Sequence, residues 1–214
     1  MDWISSSTSE TLFVNCNTQP ANSGSPSSYL CSKLHESVDP GLGLCLGLSF
    51  FCRDHVKPDD PYFGAAALAR SLLQQLLEQL PHTLSRDLVP RNANRIQSTS
   101  YQCGILEDVV LRLPRDAFIL CAIDSINIHE DQDSNYEEFE EVLESLLQIR
   151  EKTASSGCVF KLLIACSWNS RRLYKLIPDQ RRDVMWLPVK IPQQGGLTIS
   201  KWKYIMDKSM NVLV

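Results

Sequence analysis

Asp124 closes the apolar run Ala117–Ile123, AFILCAI. A continuous apolar run of this length suits a parallel strand buried on both faces, and ligands in such sheets sit at the carboxyl ends of the strands. Asp124 is therefore the best single candidate for a site residue. The competing reading is a structural acid that caps the turn after the strand, and both stand at this point. Cys52 and His55 have ligand-like spacing, but only two donors are visible, and a loop thiol beside a surface histidine is the simpler account. Asp131, Asp133 and Asn135 match the first half of a calcium loop, yet Tyr136 and Val142 stand where that loop needs glycine and glutamate. Acids at this place are explained by the positive N-terminal dipole of the helix that follows. Gly41, Gly43 and Gly47 precede and enter a strand, so they form no dinucleotide fingerprint. No serine or cysteine stands in a recognisable nucleophile motif, and His35, His82 and His129 fall in polar turns.

The totals restrict the class of protein. The 214 residues, 43% hydrophobic and 21% charged, suit a single globular α/β domain. A net charge of -4, from 21 basic and 25 acidic residues, gives no basic field for nucleic acid. The eight cysteines include no CxxC pair, which argues against a zinc ribbon. Several lie in or beside apolar runs, where free thiols behave as small hydrophobes. With no signal-peptide pattern at the N-terminus, the expected setting is reducing and cytoplasmic. The longest apolar stretch, Leu42–Phe51, is about ten residues. A bilayer span needs roughly twenty, so no membrane segment is expected.

The elements that must position Asp124 follow from alternating patterns. Thr11–Asn15, Leu44–Cys52, Ala117–Ile123, Val159–Cys166 and Val184–Val189 read as strands. Between them, Tyr29–Ser37 reads as a short helix. A clear helix begins near Pro61, with Asp60 as its cap, and runs through Leu68, Leu72, Leu73, Leu76, Leu77 and Leu80 to Pro81. A weaker helical stretch covers about Gln102–Leu113. A longer one covers about Asn135–Thr153, with Phe139, Val142, Leu143, Leu146 and Leu147 on one face. Arg171–Leu176 reads as a short helix, and about 197–210 as a closing one. Such alternation predicts a mainly parallel sheet of about five strands with helices on both faces. Thr11–Asn15, Ala117–Ile123 and Val159–Cys166 are expected side by side at its centre.

This order of segments resembles a NACHT-type P-loop NTPase domain, in the version of the nephrocystin-3-like N-terminal domain of fungal-type signalling proteins. The resemblance rests on Trp3-Ile4 before Thr11–Val14, on Leu48–Phe51 with Arg53-Asp54, and on the helix ALARSLLQQLLEQL. Ala117–Asp124 resembles the Walker B strand, and Lys161–Ile164 the strand after it. It covers about residues 3–190 and implies a three-layer P-loop NTPase-like sandwich. Aligned on the helix that follows, Gly24-Ser25-Pro26-Ser27-Ser28 falls on the family's phosphate loop. Gly24 and Ser28 fit it. Pro26 deletes an N–H donor, and Ser27 stands where the loop needs lysine. Ser28 and Asp124 would serve one magnesium ion. Asn127 stands in a stretch that is acidic in the family, Ile128 cannot activate water, and Ser167 follows the sensor strand without the family's arginine. Arg171 is the nearby substitute for it.

These departures make a non-catalytic module of signalling or protein assembly the leading expectation, with protein partners and no cofactor. Mg-ATP or Mg-GTP would be the ligand if binding is retained. The alternatives are a divergent ATP- or GTP-binding NTPase with a different phosphate loop, and a bare interaction scaffold or truncated copy of a larger protein.

Overall fold

The computed structural model describes residues 3–4, 6–16, 25–38, 43–81, 98–130, 133–156, 158–168, 170, 172–176 and 184–186. In chain order the elements are β1 (Glu10–Asn15), α1 (Pro26–Glu36), β2 (Cys45–Phe51), α2 (Ala65–Gln79), α3 (Thr99–Leu111), β3 (Phe118–Asp124), α4 (Asp133–Ser156), β4 (Val159–Cys166) and β5 (Val184–Trp186). Short 3-10 turns follow β2 at Cys52–His55, β3 at Ile126–His129, and β4 at Leu173–Leu176.

The five strands form one sheet in the order β2-β3-β4-β1-β5, and every pairing is parallel. The three apolar runs expected at the centre are there, adjacent to one another. The sheet is covered on both faces, which is why its inner strands are apolar at successive positions rather than alternate ones. Phe13, Leu48, Ile119, Ile123, Phe160 and Ile164 face the larger core, with α2, α3 and α4. Val14, Ala122, Leu163 and Ala165 face a smaller core closed by Leu30 and Cys31 of α1. The result is an α/β three-layer sandwich.

The helices explain themselves locally. In α2, Leu68, Leu72, Leu73 and Leu76 recur on one face and are buried. In α4, Phe139, Val142, Leu143 and Leu146 do the same. The pattern of α3 is weak because this helix packs against both α2 and α4 and so carries apolar residues on more than one side.

Several boundaries differ from expectation. α1 starts at Pro26, a turn before Tyr29. Ser25 caps it by accepting the Ser28 N–H at 3.1 Å, and Pro26 lies in the first turn, where its missing N–H has no intrahelical partner to lose. α2 starts at Ala65, not near Pro61. Gly64 precedes it at φ 92°, a conformation that favours glycine, and Asp60 instead holds a turn by accepting the Tyr62 N–H at 2.7 Å. α3 starts at Thr99 because Ser98 caps it. The short helix expected over Arg171–Leu176 is the 3-10 turn Leu173–Leu176. The closing helix expected over 197–210, and Leu187, Pro188 and Val189 of the last strand, lie outside the described residues. Among the described residues no helix is long and apolar enough to cross a membrane.

Candidate functional site

Because all strands run the same way, Asn15, Phe51, Asp124 and Cys166 end at one rim of the sheet. From β1 the chain leaves toward β2 at one edge, and from β4 it leaves toward β5 on the other side. In this architecture ligands bind outside the carboxyl ends of the strands, which is the rim these residues share.

Asp124 lies at this rim, at the end of β3, and is fully buried. Its carboxylate is held by serines from two sides. Ser28, in the first turn of α1, donates to Oδ2 at 2.6 Å. Ser125, the next residue, donates to Oδ1 at 3.0 Å. The network continues outward through hydroxyl pairs. Ser125 Oγ lies 2.6 Å from Ser167 Oγ, Ser167 Oγ lies 3.4 Å from Ser27 Oγ, and Ser25 Oγ lies 2.6 Å from Ser27 and 2.8 Å from Ser28. The ends of β3 and β4 and the start of α1 are thus tied together by side-chain hydroxyls around one acid.

Burial is the largest influence on Asp124 and raises its pKa. Hydrogen bonds from Ser27, Ser28 and Ser125 oppose this, and the like charge of Asp54 adds to it. The thiols nearby respond in the same direction. Burial pushes Cys16 up to about 12, with the Asp124 charge adding to the effect, and raises Cys31, Cys52 and Cys166 well above the ordinary thiol value. All eight cysteines are free, and these four are packing residues rather than nucleophiles.

The site residues expected from sequence separate into two groups. Ser25, Ser27, Ser28, Asp124 and Ser167 converge. Asn127 sits on the far side of the turn after β3, fully buried, donating from Nδ2 to the Trp168 carbonyl at 3.1 Å; its Oδ1 has no partner among the described residues. Gly24 and Arg171 lie outside the described residues. Ile128 packs against the larger core. His129, expected in a polar turn, is buried and stacks on Phe139 with centroids 4.1 Å apart. Cys52 and His55 do not form a ligand pair. Cys52 is buried, while His55 faces Asp60 at 3.1 Å and packs between Phe50 and Tyr62.

Ser125 was not legible as a site residue. It adopts φ 58° and ψ 33°, in the left-handed region, and its N–H donates to the Ala165 carbonyl at 2.7 Å. No residue type announces that conformation, since serine is not the usual occupant.

The oxygen donors of Ser28 and Asp124 fit a hard cation such as magnesium. They do not by themselves fit a phosphate. Ser27, where a phosphate loop carries lysine, is fully buried and uncharged, and Lys33 is exposed and ion-paired with Glu36. No protein-family model, curated protein or solved structure matches the chain.

Proposed function

We propose that the chain is a non-catalytic, NACHT-like pseudo-NTPase module that acts in cytoplasmic signalling or assembly through protein partners. The observation that carries the reading is the meeting of Ser28 and Asp124, at 2.6 Å, at the carboxyl rim of an all-parallel sheet. In a P-loop NTPase a hydroxyl from the first helix and an acid at the end of a core strand share one magnesium ion. Here the same residue types stand together but are bonded to each other and to further serines.

Charge is what the site lacks. Phosphoryl transfer is accelerated mainly by positioned positive charge on the transferred group. Ser27 supplies none, and Asp124 is stabilised by hydroxyls that a cation or phosphate would have to displace. Ile128, packed on the core, cannot orient or deprotonate water. The module accordingly binds nucleotide weakly or not at all, and its role lies in the surfaces it presents.

The test is phosphate release from Mg-ATP and Mg-GTP by the purified chain beside Asp124→Ala, with thermal unfolding measured with and without each nucleotide. The expected result is no turnover and little stabilisation. Turnover that disappears in Asp124→Ala would overturn the proposal and assign the chain to the active NTPases.

A further inference from the structure

β2 lies at one edge of the sheet. Edge strands present a row of N–H and C=O groups with no neighbour, and proteins usually guard them with charge, proline or a bulge. β2 has none of the side-chain guards: CLGLSFF carries no charged residue and no proline, and its seven residues pair with β3 without interruption. A strand of this composition is prone to pair with another like it.

The outward groups of its residues Gly47 and Ser49 are nevertheless occupied. The Ser49 N–H donates to Gln75 Oε1 at 2.9 Å, and Gln75 Nε2 donates back to the Ser49 carbonyl at 2.9 Å. Gln79 repeats the arrangement on Gly47, accepting the N–H at 2.9 Å and donating to the carbonyl at 2.7 Å. A primary amide carries donor and acceptor side by side, as a peptide group does. Each glutamine therefore imitates one residue of a missing strand.

The spacing makes the match possible. Residues two apart in a strand are separated by about 6.6 Å, and residues four apart on a helix by about 6 Å along its axis. One helix can thus serve two successive outward peptide groups. The amides are also held in place from behind. Gln75 Nε2 contacts Ser71 Oγ at 3.0 Å, and Gln79 Nε2 contacts the Gln75 carbonyl at 2.9 Å. The apolar docking of α2, through Leu68, Leu72 and Leu76, uses other positions, so nothing in the core requires glutamine here.

We propose that Gln75 and Gln79 seal the β2 edge against strand addition and so prevent this chain from pairing edge to edge with a second copy of itself. Two opened β2 edges related by a two-fold axis would pair antiparallel, an isologous contact that closes as a dimer.

The experiment compares the parent chain with the pair Gln75→Ala and Gln79→Ala. Alanine preserves helix propensity, so α2 is not weakened locally. In the parent chain, hydrogen exchange at the Gly47 and Ser49 amides should be as slow as at the β2 amides bonded to β3. In the alanine pair these two amides should lose protection, and the mass by sedimentation should rise with concentration toward twice the parent's. Adding Ser49→Pro, which removes an outward donor at a position an edge strand tolerates, should return the mass to the parent's. An alanine pair that keeps the parent's mass at every concentration overturns the proposal, as does fast exchange at Gly47 and Ser49 in the parent. If circular dichroism shows the pair unfolded, the two single variants carry the comparison, and parental mass in both overturns it.

Discussion

The hydroxyl of Ser28 donates to the carboxylate of Asp124 across 96 positions of sequence, and it does so inside the fold. An acid in that setting is stabilised by hydrogen bonds and destabilised by loss of water, and water loss is the larger effect.

The first prediction follows from that balance. Burial raises the Asp124 pKa in the folded chain above its unfolded value. Between the two values the folded state binds more protons than the unfolded one, so this group makes stability fall as pH rises. Asp124→Asn removes the charge and leaves hydrogen-bonding atoms that serines can meet from either side. The variant should be more stable than the parent at neutral pH, with the difference shrinking as pH falls through the folded pKa. Urea unfolding from pH 7 down to pH 4 measures it; a variant less stable than the parent at pH 7 contradicts the account.

Ser125 provides the second. Its hydroxyl bonds Asp124 and Ser167, while its backbone is left-handed. Ser125→Ala loses the hydroxyl and keeps the strained backbone, at a cost of about 1–3 kcal/mol. Ser125→Gly loses the same hydroxyl but relieves a conformation that costs roughly 1–2 kcal/mol for a side-chain-bearing residue. The glycine variant should therefore unfold at a higher denaturant concentration than the alanine variant.

The third concerns the opposite end of the sheet. Lys161 of β4 is fully buried, and its Nζ lies 3.5 Å from Glu10 of β1, its partner in register. Burial lowers the Lys161 pKa, and the Glu10 charge resists that shift. Removing the carboxylate leaves an ammonium without its counter-charge. For an enclosed pair that costs about 3–5 kcal/mol; Glu10 keeps part of its surface in water, so Glu10→Ala should cost less, on the order of 1–3 kcal/mol. Adding Lys161→Met to Glu10→Ala should recover most of the loss. Chemical denaturation of the two variants reads the difference directly.

Leu72 gives the fourth. It is fully buried in α2 within the larger core. Leu72→Ala should destabilise by about 2–5 kcal/mol, through lost transfer energy and the cavity left behind. Leu77, only partly buried, should cost less on the same change. Equal losses at both would mean that α2 packs differently.

The sheet was legible because its inner strands are apolar without alternation. Val159–Cys166 matched to the residue, and Ala117–Ile123 shifted by one. Starts of helices were harder to place, since a cap is decided by one hydrogen bond. Asp60 has the right residue type for a cap, yet Gly64 stands immediately before α2, and Ser25 rather than Tyr29 marks where α1 begins. Within the candidate site, Asp124 stood out because an apolar run ended in it. Ser125 did not, because a left-handed serine leaves no mark in a sequence. Gln75 and Gln79 were hidden for another reason. Glutamine on a helix normally points to water, and only the position of β2 beneath α2 gives these two a backbone to bond.

β1 is flanked in the sheet by β4 and β5, although it precedes both of them, and β2 and β3 as well, along the chain. Its pairing partner begins with Lys161 opposite Glu10. At about 5–20 residues per second, a ribosome takes on the order of 10–30 s to make the chain between them. During that interval β2 and β3 can pair with each other, but the apolar segment around Leu12, Phe13 and Val14 has no native neighbour on either side. The order of the strands along the chain thus keeps β1 without either of its sheet neighbours until β4 has been made.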